Sequence, residues 1–139
     1  MHFVFVYGTL KGGFPYHETG LKGLPFVGRC RTREAYPLVV GGRWFSPILL
    51  AEPGVGRRVI GEVYQVDDAK LAELDALEGS HLPTGYQRAV IAVEPVDGGA
   101  AFEAWSYFKD RANVDGIHAG MLEEYALDPR YVPAEDRTA

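Results

Sequence analysis

FVFVYGTLKGG, residues 3 to 13, is an apolar run that stops at an aromatic hydroxyl and breaks into small residues with one lysine. A run of this length rich in Val and Phe predicts a strand covered on both faces. Gly8, Gly12 and Gly13 allow backbone angles closed to other residues, so the loop can turn its N–H groups toward a ligand. The same glycines also suit a simple tight turn. On this stretch alone both interpretations remain open.

Length and composition predict one globular domain over residues 1–139. The chain is 47% apolar and 12% aromatic, and domains of this length bury roughly two-thirds of their unfolded surface. Fourteen basic and nineteen acidic residues give a net charge of -5. Because the basic residues are scattered instead of forming a stripe, we expect no nucleic-acid partner. The apolar runs are too short to cross a bilayer, so we expect no membrane partner either.

The single cysteine, Cys30, excludes an intrachain disulfide. The sequence does not open with a cationic segment followed by an apolar run and a cleavage site. Together these features predict a reducing, cytoplasmic compartment.

The spacing of glycine and proline, about every ten residues, is typical of a mostly β chain. After the opening strand, we expect strands at residues 24–33, 36–40 and 57–66. A hairpin is predicted where residues 86–95 and 101–108 flank an Asp97-Gly98 pair, which favours a tight turn.

The last thirty residues give weaker signals. The segment GIHAGMLEEYAL, residues 116–127, is predicted to form a short helix, and residues 133–139 are predicted to fray.

The segment DDAKLAELDALEG, residues 67–79, predicts a helix with well-marked ends. Asp67 suits the N-cap, and Gly79 stands where a helix usually ends. Val66 and Leu71 are spaced as a hydrophobic staple across the cap. At 100 degrees per residue, the core-facing stripe is predicted to contain Leu71, Leu74 and Leu77.

Glu78 falls inside this apolar stripe, seven residues after Leu71 and four after Leu74. It lies in the last turn, where the negative end of the helix dipole disfavours an anion. Burial and the dipole would both raise the pKa of the carboxyl, as is more typical of working sites than of scaffolding. The alternative is that the helix frays one residue early and Glu78 reaches water or pairs with Arg88.

Three separated motifs occur in a fixed order along the chain. They are VYGTLKGGFPYH at 6–17, GEVYQVDDAKLAELDALEG at 61–79, and YQRAVIAVE at 86–94 followed by AWSYF at 104–108. In this combination the chain resembles the γ-glutamylcyclotransferase superfamily, in particular its γ-glutamylamine cyclotransferase and AIG-type branch. The resemblance runs from about Phe3 to Phe108. It implies an α+β fold, a compact mixed β-barrel with a few packed helices.

The resemblance also implies an activity and its residues. A YGTL loop that holds the substrate maps onto Tyr7, Gly8, Thr9 and Leu10, and a catalytic acid/base maps onto Glu78. The substrate would be a small γ-glutamyl amide whose α-amine attacks its own γ-carbonyl, closing 5-oxoproline and expelling the attached amine. An intramolecular attack needs no enzyme nucleophile. We therefore expect no cofactor, in line with a sequence that lacks nucleophile-elbow, zinc-protease and phosphate-loop motifs.

Other conspicuous residues have weaker functional interpretations. Tyr107 could present its hydroxyl to the pocket and is a further substrate-binding candidate. Asp75 is interpreted as a solvated flank of the helix and not as half of a glycosidase carboxylate pair. Lys11 could attract a substrate carboxylate or simply be solvated. The four histidines lack ligand spacing, so we expect no metal site.

A non-catalytic binding module on the same barrel is the alternative to an enzyme. The inward glutamate separates the two, because a binding module gains nothing from burying a carboxylate at a helix C-terminus. The sequence therefore favours the enzyme.

Overall fold

The computed structural model of the chain describes residues 1–137. In chain order its helices and strands are β1 (His2–Val6), α1 (His17–Gly20), β2 (Phe26–Tyr36), β3 (Leu38–Gly41), β4 (Ser46–Leu49), β5 (Arg57–Val66), α2 (Asp68–Leu77), β6 (Gln87–Pro95), β7 (Phe102–Phe108) and β8 (Ile117–Ala119). Short 3-10 turns cover Arg111–Asn113 and Ala134–Asp136. None of the described helices is long and apolar enough to span a membrane.

Five strands close into a barrel in the order β1-β5-β2-β6-β7. The neighbouring pairs are antiparallel except β1 and β7, which run parallel and close the barrel with Val4 opposite Trp105. The predicted mixed barrel with a few packed helices is therefore confirmed.

Both faces of β1 are buried over Val4–Val6, as the opening apolar run predicted, whereas Phe3 near the start of the strand is exposed. Phe5 and the following Tyr7 belong to the barrel core, whereas Val4 and Val6 pack in a second core with α2. The alternation of side chains along a strand sends successive residues to opposite faces. One strand thus joins the barrel to its helical layer.

Locally signalled elements agree with the sequence predictions. The strand β5 covers the predicted range 57–66, and the N-cap of α2 is Asp67, whose Oδ1 accepts from the Lys70 N–H at 2.8 Å. The hairpin of β6 and β7 is confirmed, with Gln87 opposite Phe108. Its connection spans residues 96–101, so it is longer than the tight turn that was predicted.

The predicted helix at 116–127 is wrong. This segment forms β8, which pairs with β3 in a second sheet of order β4-β3-β8, and then bridges Ile60 through Glu124. Pairing with β3 and with the barrel strand β5 therefore determines the structure of this segment, against the weak helical spacing of its apolar residues.

The predicted fraying of residues 133–139 is wrong over its described part. The Ala134 N–H donates to the Tyr16 hydroxyl at 2.6 Å, and Arg137 Nε donates to the Val132 carbonyl at 2.9 Å. Thr138 and Ala139 lie outside the described residues.

The side chain of Thr32 replaces a missing backbone hydrogen bond where the pairing of β2 with β5 is irregular. The register of β2 on β5 shifts between Arg31 and Ala35. Thr32, which is fully buried, accepts from the Val59 N–H through its Oγ1 at 2.8 Å and donates to the Glu34 carbonyl at 2.7 Å. The hydroxyl thus accepts a hydrogen bond from the buried Val59 N–H, which the register shift leaves without a backbone partner.

We predict that Thr32→Val lowers the free energy of unfolding by about 1–3 kcal/mol, because the Val59 N–H would be buried without a partner. Urea denaturation at equilibrium measures the change. Thr32→Ser is the matched control, since it keeps the hydroxyl and should lose less stability. Equal stability of the two variants would contradict this role of the hydroxyl.

Candidate active site

A cavity of about 670 Å³ lies between the loop that follows β1 and the C-terminal end of α2. Further walls come from the segment before β4, the end of β7 and the C-terminal segment. All six residues predicted for the site line this cavity: Tyr7, Gly8, Thr9, Leu10, Glu78 and Tyr107.

The end of α2 fixes the backbone of Glu78. Gly79 has a φ of 70°, its N–H donates to the Ala76 carbonyl at 3.2 Å, and the Ser80 N–H donates to the Asp75 carbonyl at 2.9 Å. This pair of bonds is a Schellman motif, in which the residue before the left-handed glycine is the C-cap. Glu78 is that C-cap.

The apolar stripe of α2 differs in one member from the prediction. Leu71 and Leu74 are buried, but Leu77 is 44% exposed, so its predicted place in the stripe is wrong. Positions i, i+3 and i+7 lie closer together around a helix than i and i+6. The face defined by Leu71 and Leu74 therefore continues to Glu78, and Leu77 lies beside it.

The Glu78 carboxyl is held in a largely desolvated position. The residue keeps some exposure through the cavity, yet burial raises the pKa of its carboxyl to about 7, and the nearby Lys109 ammonium opposes this rise. The alternative pairing with Arg88 does not occur, because Arg88 Nε lies 3.3 Å from Asp75 Oδ1. Glu78 can therefore exchange a proton near neutral pH.

Asp75 is not the solvated flank that was predicted. It accepts a hydrogen bond from the Tyr107 hydroxyl at 2.8 Å, in addition to its ion pair with Arg88. Burial is the main cause that raises the pKa of Tyr107 well above its usual value, and the hydrogen bond to Asp75 adds to it. The Tyr107 ring lines the cavity, but its hydroxyl is committed to α2, so it ties β7 to the helix that carries Glu78.

Tyr7 lies at the end of β1 with its hydroxyl fully engaged by the backbone. It donates to the Tyr107 carbonyl at 2.7 Å and accepts from the Leu49 N–H at 3.4 Å. Burial is the main cause that raises the pKa of Tyr7 well above its usual value, and the charge of Glu78 adds to it. The phenol is thus a neutral anchor for the loop that follows.

The loop after Tyr7 approaches Pro47 too closely for a side chain at Gly8. A Cβ there would lie 2.6 Å from Pro47 Cγ. The prediction that these glycines take backbone angles closed to other residues is wrong for Gly8 and Gly12, which do not have a positive φ. It holds for Gly13, which has a φ of 81°. Gly8 is therefore required by a close approach and not by its φ angle.

The loop lines the cavity with Gly8, Thr9 and Leu10. Its carbonyls are used internally, since Gly8 accepts from the Lys11 N–H at 3.1 Å and Thr9 from the Tyr16 N–H at 2.8 Å. Within residues 1–137, no hydrogen bond occupies the N–H groups of Gly8, Thr9 and Leu10. Three adjacent N–H groups can bind anionic oxygens.

Lys11 matches neither of its predicted roles. Only 5% of it is exposed, and its Nζ donates to the Tyr125 carbonyl at 2.7 Å. It fastens the loop to the segment after β8 and does not line the cavity.

Two residues near Glu78, Tyr86 and Lys109, were not predicted as site residues from the sequence. The Tyr86 hydroxyl donates to the Pro47 carbonyl at 2.9 Å, and Lys109 Nζ lies 4.6 Å from the centre of the Tyr86 ring. Burial raises the pKa of Tyr86 well above its usual value and lowers that of Lys109. The one sequence signal was the position of Lys109 directly after the AWSYF strand.

The part of the chain that the structure describes contains no group of three or more His, Cys, Asp or Glu side chains suited to hold a metal ion. His17 Nδ1 lies 3.0 Å from the Leu10 carbonyl, and His118 Nε2 lies 2.9 Å from that of Gly42. Charged side chains that line the cavity include Glu78 and Lys109.

A closed five-stranded barrel whose cavity is lined by Glu78 and by the loop after β1 is the arrangement that the resemblance to the γ-glutamylcyclotransferase superfamily implied. The family model described as "Gamma-glutamyl cyclotransferase, AIG2-like" matches residues 4–127. The chain belongs to this family.

Named relatives agree over most of the chain. It is 41% identical to the γ-glutamylaminecyclotransferase of Bos taurus, an alignment covering 96% of this chain and 83% of the relative. It is 38% identical to γ-glutamylaminecyclotransferase B of Danio rerio, covering 99% and 77%. The crystal structure of an AIG2-like protein from Mus musculus superposes with a TM-score of 0.82 at 35% identity, covering 99% of each chain.

We predict that Glu78→Gln stabilises the protein in a pH-dependent way. The unfolded pKa is about 4.3 and the folded pKa about 7, so between these values the folded state holds a proton that the unfolded state has released. Wild-type stability therefore falls as pH rises through this window, by at most about 4 kcal/mol, and levels off above it. Glutamine does not ionise and avoids this loss.

Denaturant unfolding between pH 4 and pH 8 measures the effect. The advantage of Glu78→Gln should be greatest at pH 8 and vanish toward pH 4. Glu73→Gln is the matched control, because Glu73 lies on the exposed side of the same helix. A gap between Glu78→Gln and wild type that is equal at every pH would refute the raised pKa.

Proposed function

We propose that the protein converts a γ-glutamylamine, a γ-glutamyl amide of a primary amine, into 5-oxoproline and the free amine, with Glu78 as the proton carrier. One observation carries the proposal: a largely desolvated carboxyl with a pKa of about 7 lines the same cavity as three backbone N–H groups that have no hydrogen-bond partner among residues 1–137. The names of the relatives from Bos taurus and Danio rerio support the substrate class.

The first half of the reaction forms the ring. The ionised Glu78 carboxylate takes a proton from the substrate's α-ammonium, and the freed amine attacks the γ-carbonyl carbon. A carbon–nitrogen bond forms and the carbonyl oxygen becomes an oxyanion. Because both reacting groups belong to one molecule, correct positioning can contribute as much as ~7–11 kcal/mol to lowering the barrier.

The second half of the reaction expels the amine. Glu78, now protonated, donates its proton to the leaving nitrogen, the oxyanion reforms the carbonyl, and the original carbon–nitrogen bond breaks. The ring nitrogen, which still carries two protons after the attack, releases one of them to solvent. A carboxyl with a pKa near the working pH serves both as base and as acid, because both of its forms are populated. The products are 5-oxoproline and the amine, and Glu78 returns to its ionised form.

Substrate binding is assigned to the loop that follows β1. The N–H groups of Gly8, Thr9 and Leu10 bind the α-carboxylate and the developing oxyanion, which gain most from preorganised donors. Tyr7 and Tyr107 act as positioning residues, since their hydroxyls hold the loop and α2 against β7.

We also propose that the enzyme works in the cytoplasm on its small-molecule substrate, with residues 1–139 acting as one domain. The buried free thiol of Cys30 supports a reducing compartment.

We predict that Glu78→Gln lowers kcat by a factor of about 10²–10⁴, the usual contribution of a general acid/base. The fold should remain intact, because glutamine nearly matches the shape of glutamate. Release of 5-oxoproline from γ-glutamyl amides measures activity, with Glu73→Gln as the control. Near wild-type turnover by Glu78→Gln would exclude Glu78 as the proton carrier.

We predict that Gly8→Ala weakens substrate binding by at least roughly tenfold, because the new methyl group would push the loop away from Pro47 and misplace its donors. Calorimetric binding of 5-oxoproline and KM both report this change. Gly12→Ala is the matched control, since the nearest atom to its new methyl would be 3.7 Å away. Unchanged binding in a folded Gly8→Ala protein would argue against the loop as binding site.

A further inference from the structure

Asp75 lies in the last turn of α2, one turn before Glu78. Its backbone carbonyl accepts from the Ser80 N–H at 2.9 Å, which is one of the two bonds of the motif that ends the helix. Among residues 1–137, the lining of the cavity does not include Asp75. Any effect of Asp75 on the reaction must therefore pass through the helix end that carries Glu78.

The Asp75 carboxylate is bound from two neighbouring strands of the barrel. Its Oδ1 accepts from the Tyr107 hydroxyl on β7 at 2.8 Å, and Arg88 Nε on β6 lies 3.3 Å from the same oxygen. Arg88 and Tyr107 are directly opposite each other in the β6–β7 pairing, so their side chains leave the sheet side by side. The hairpin as a whole thus holds the C-terminal end of α2.

Packing and the ion pair together determine where the Arg88 guanidinium lies. Its Cζ is 4.4 Å from the centre of the Trp105 ring, which is a cation–π contact. Its Nη1 is buried and has no hydrogen-bond partner among residues 1–137. Because an unpaired buried donor costs stability, hydrogen bonding alone would not favour this position. The contacts with Trp105 and Asp75 stabilise it.

Tyr107 connects the same helix end to the substrate-binding loop. Its hydroxyl donates to Asp75, and its backbone carbonyl accepts from the Tyr7 hydroxyl at 2.7 Å. Tyr7 is followed directly by Gly8, where the loop begins. One residue of β7 is therefore hydrogen-bonded to both halves of the site, and Asp75 is its partner on the side of Glu78.

We propose that Asp75 is a positioning residue that fixes the place of the Glu78 carboxyl through the hydrogen bond that it accepts from Tyr107. Arg88 supports this bond by holding the carboxylate from the neighbouring strand. The inference rests on the proposed function, in which Glu78 carries the proton. A displacement of about 1 Å can reduce turnover by as much as about 10²-fold. A loosened helix end should therefore lower kcat although no group that contacts the substrate has changed.

The first measurement compares kcat with product binding in Asp75→Ala. We expect kcat for γ-glutamyl amides to fall by about tenfold to about 100-fold. The Kd of 5-oxoproline, measured by calorimetry, should stay within about twofold of wild type, because the binding loop is not bonded to Asp75. The loop keeps its own contacts, which include those made by Tyr7 and Lys11.

Two conservative variants separate the hydrogen bond from the charge. Asp75→Asn loses the charge but keeps an oxygen that can accept from Tyr107, so it should retain most of the wild-type kcat. Tyr107→Phe keeps the charge but loses the bond, so its kcat should fall as that of Asp75→Ala does. The double variant should be no slower than either single variant, because both remove the same bond. If Asp75→Ala does not fold, Tyr107→Phe and Asp75→Asn provide the same comparison.

Asp68→Ala is the matched control. Asp68 lies at the opposite end of α2, and its carboxylate is paired with His2 on β1. The variant therefore removes the same kind of contact between the same helix and the barrel, but at a distance from Glu78. It should keep the wild-type kcat.

A second measurement needs no substrate. If the bond to Asp75 holds the Glu78 carboxyl in its desolvated position, Asp75→Ala should let the carboxyl reach water and lower its pKa from about 7 toward the usual value. The pH-dependent stability advantage of Glu78→Gln should then shrink in an Asp75→Ala background and persist in an Asp75→Asn background. Lys109, the charged group that acts on the pKa of Glu78, is the same in every background.

Unchanged kcat in Asp75→Ala, or an equal loss in Asp75→Ala and Asp75→Asn, would overturn the proposal. A parallel fall in kcat and in 5-oxoproline affinity would also overturn it, since it would show a general loosening of the site. So would an undiminished advantage of Glu78→Gln in the Asp75→Ala background. If wild type released 5-oxoproline from no γ-glutamyl amide, the proposed function would fail, and the stability measurement would still decide whether Asp75 positions Glu78.

Discussion

The left-handed turn that ends α2 is the constraint on which the site depends. Gly79 takes a φ of 70°, which ends the helix with Glu78 as its C-cap and leaves the carboxyl at a helix C-terminus. The packing of Leu71 and Leu74 sets the rotation of the helix, so Glu78 is directed to the same face. Hydrophobic burial thus overrides the unfavourable dipole at this position. Because the carboxyl is desolvated as a consequence, its pKa reaches the range that proton transfer requires.

The position of the donor loop relative to this carboxyl follows from β1. One face of the strand carries Phe5 and Tyr7 in the barrel core, and the other carries Val4 and Val6 against the layer that contains α2. The loop therefore leaves the strand at a point fixed by two cores at once. The same arrangement explains why Gly8 has no room for a side chain: the strand end is held against the segment that begins β4.

The sequence was most informative where a structure is determined by neighbouring residues. The caps of α2, the range of β5 and the β6–β7 hairpin could be predicted because their signals are local. Residues 116–127 could not, since their strand depends on pairing with β3. In the site, Glu78 stood out as a carboxylate in an apolar stripe. Arg137 gave no such signal, because only the folded chain brings it to the cavity.

Opposed effects on the pKa of Glu78 suit its proposed role as proton carrier. The phenols of Tyr7 and Tyr86 are neutral near pH 7, and burial raises the pKa of each further above its usual value. Both hydroxyls donate to backbone carbonyls and not to the Glu78 carboxyl. Desolvation alone would favour the protonated carboxyl still further and leave a poor base. Lys109 opposes this rise from the end of β7. The pKa of Glu78 near neutrality is therefore the result of two opposed effects, burial by the barrel and helix and one partly buried ammonium.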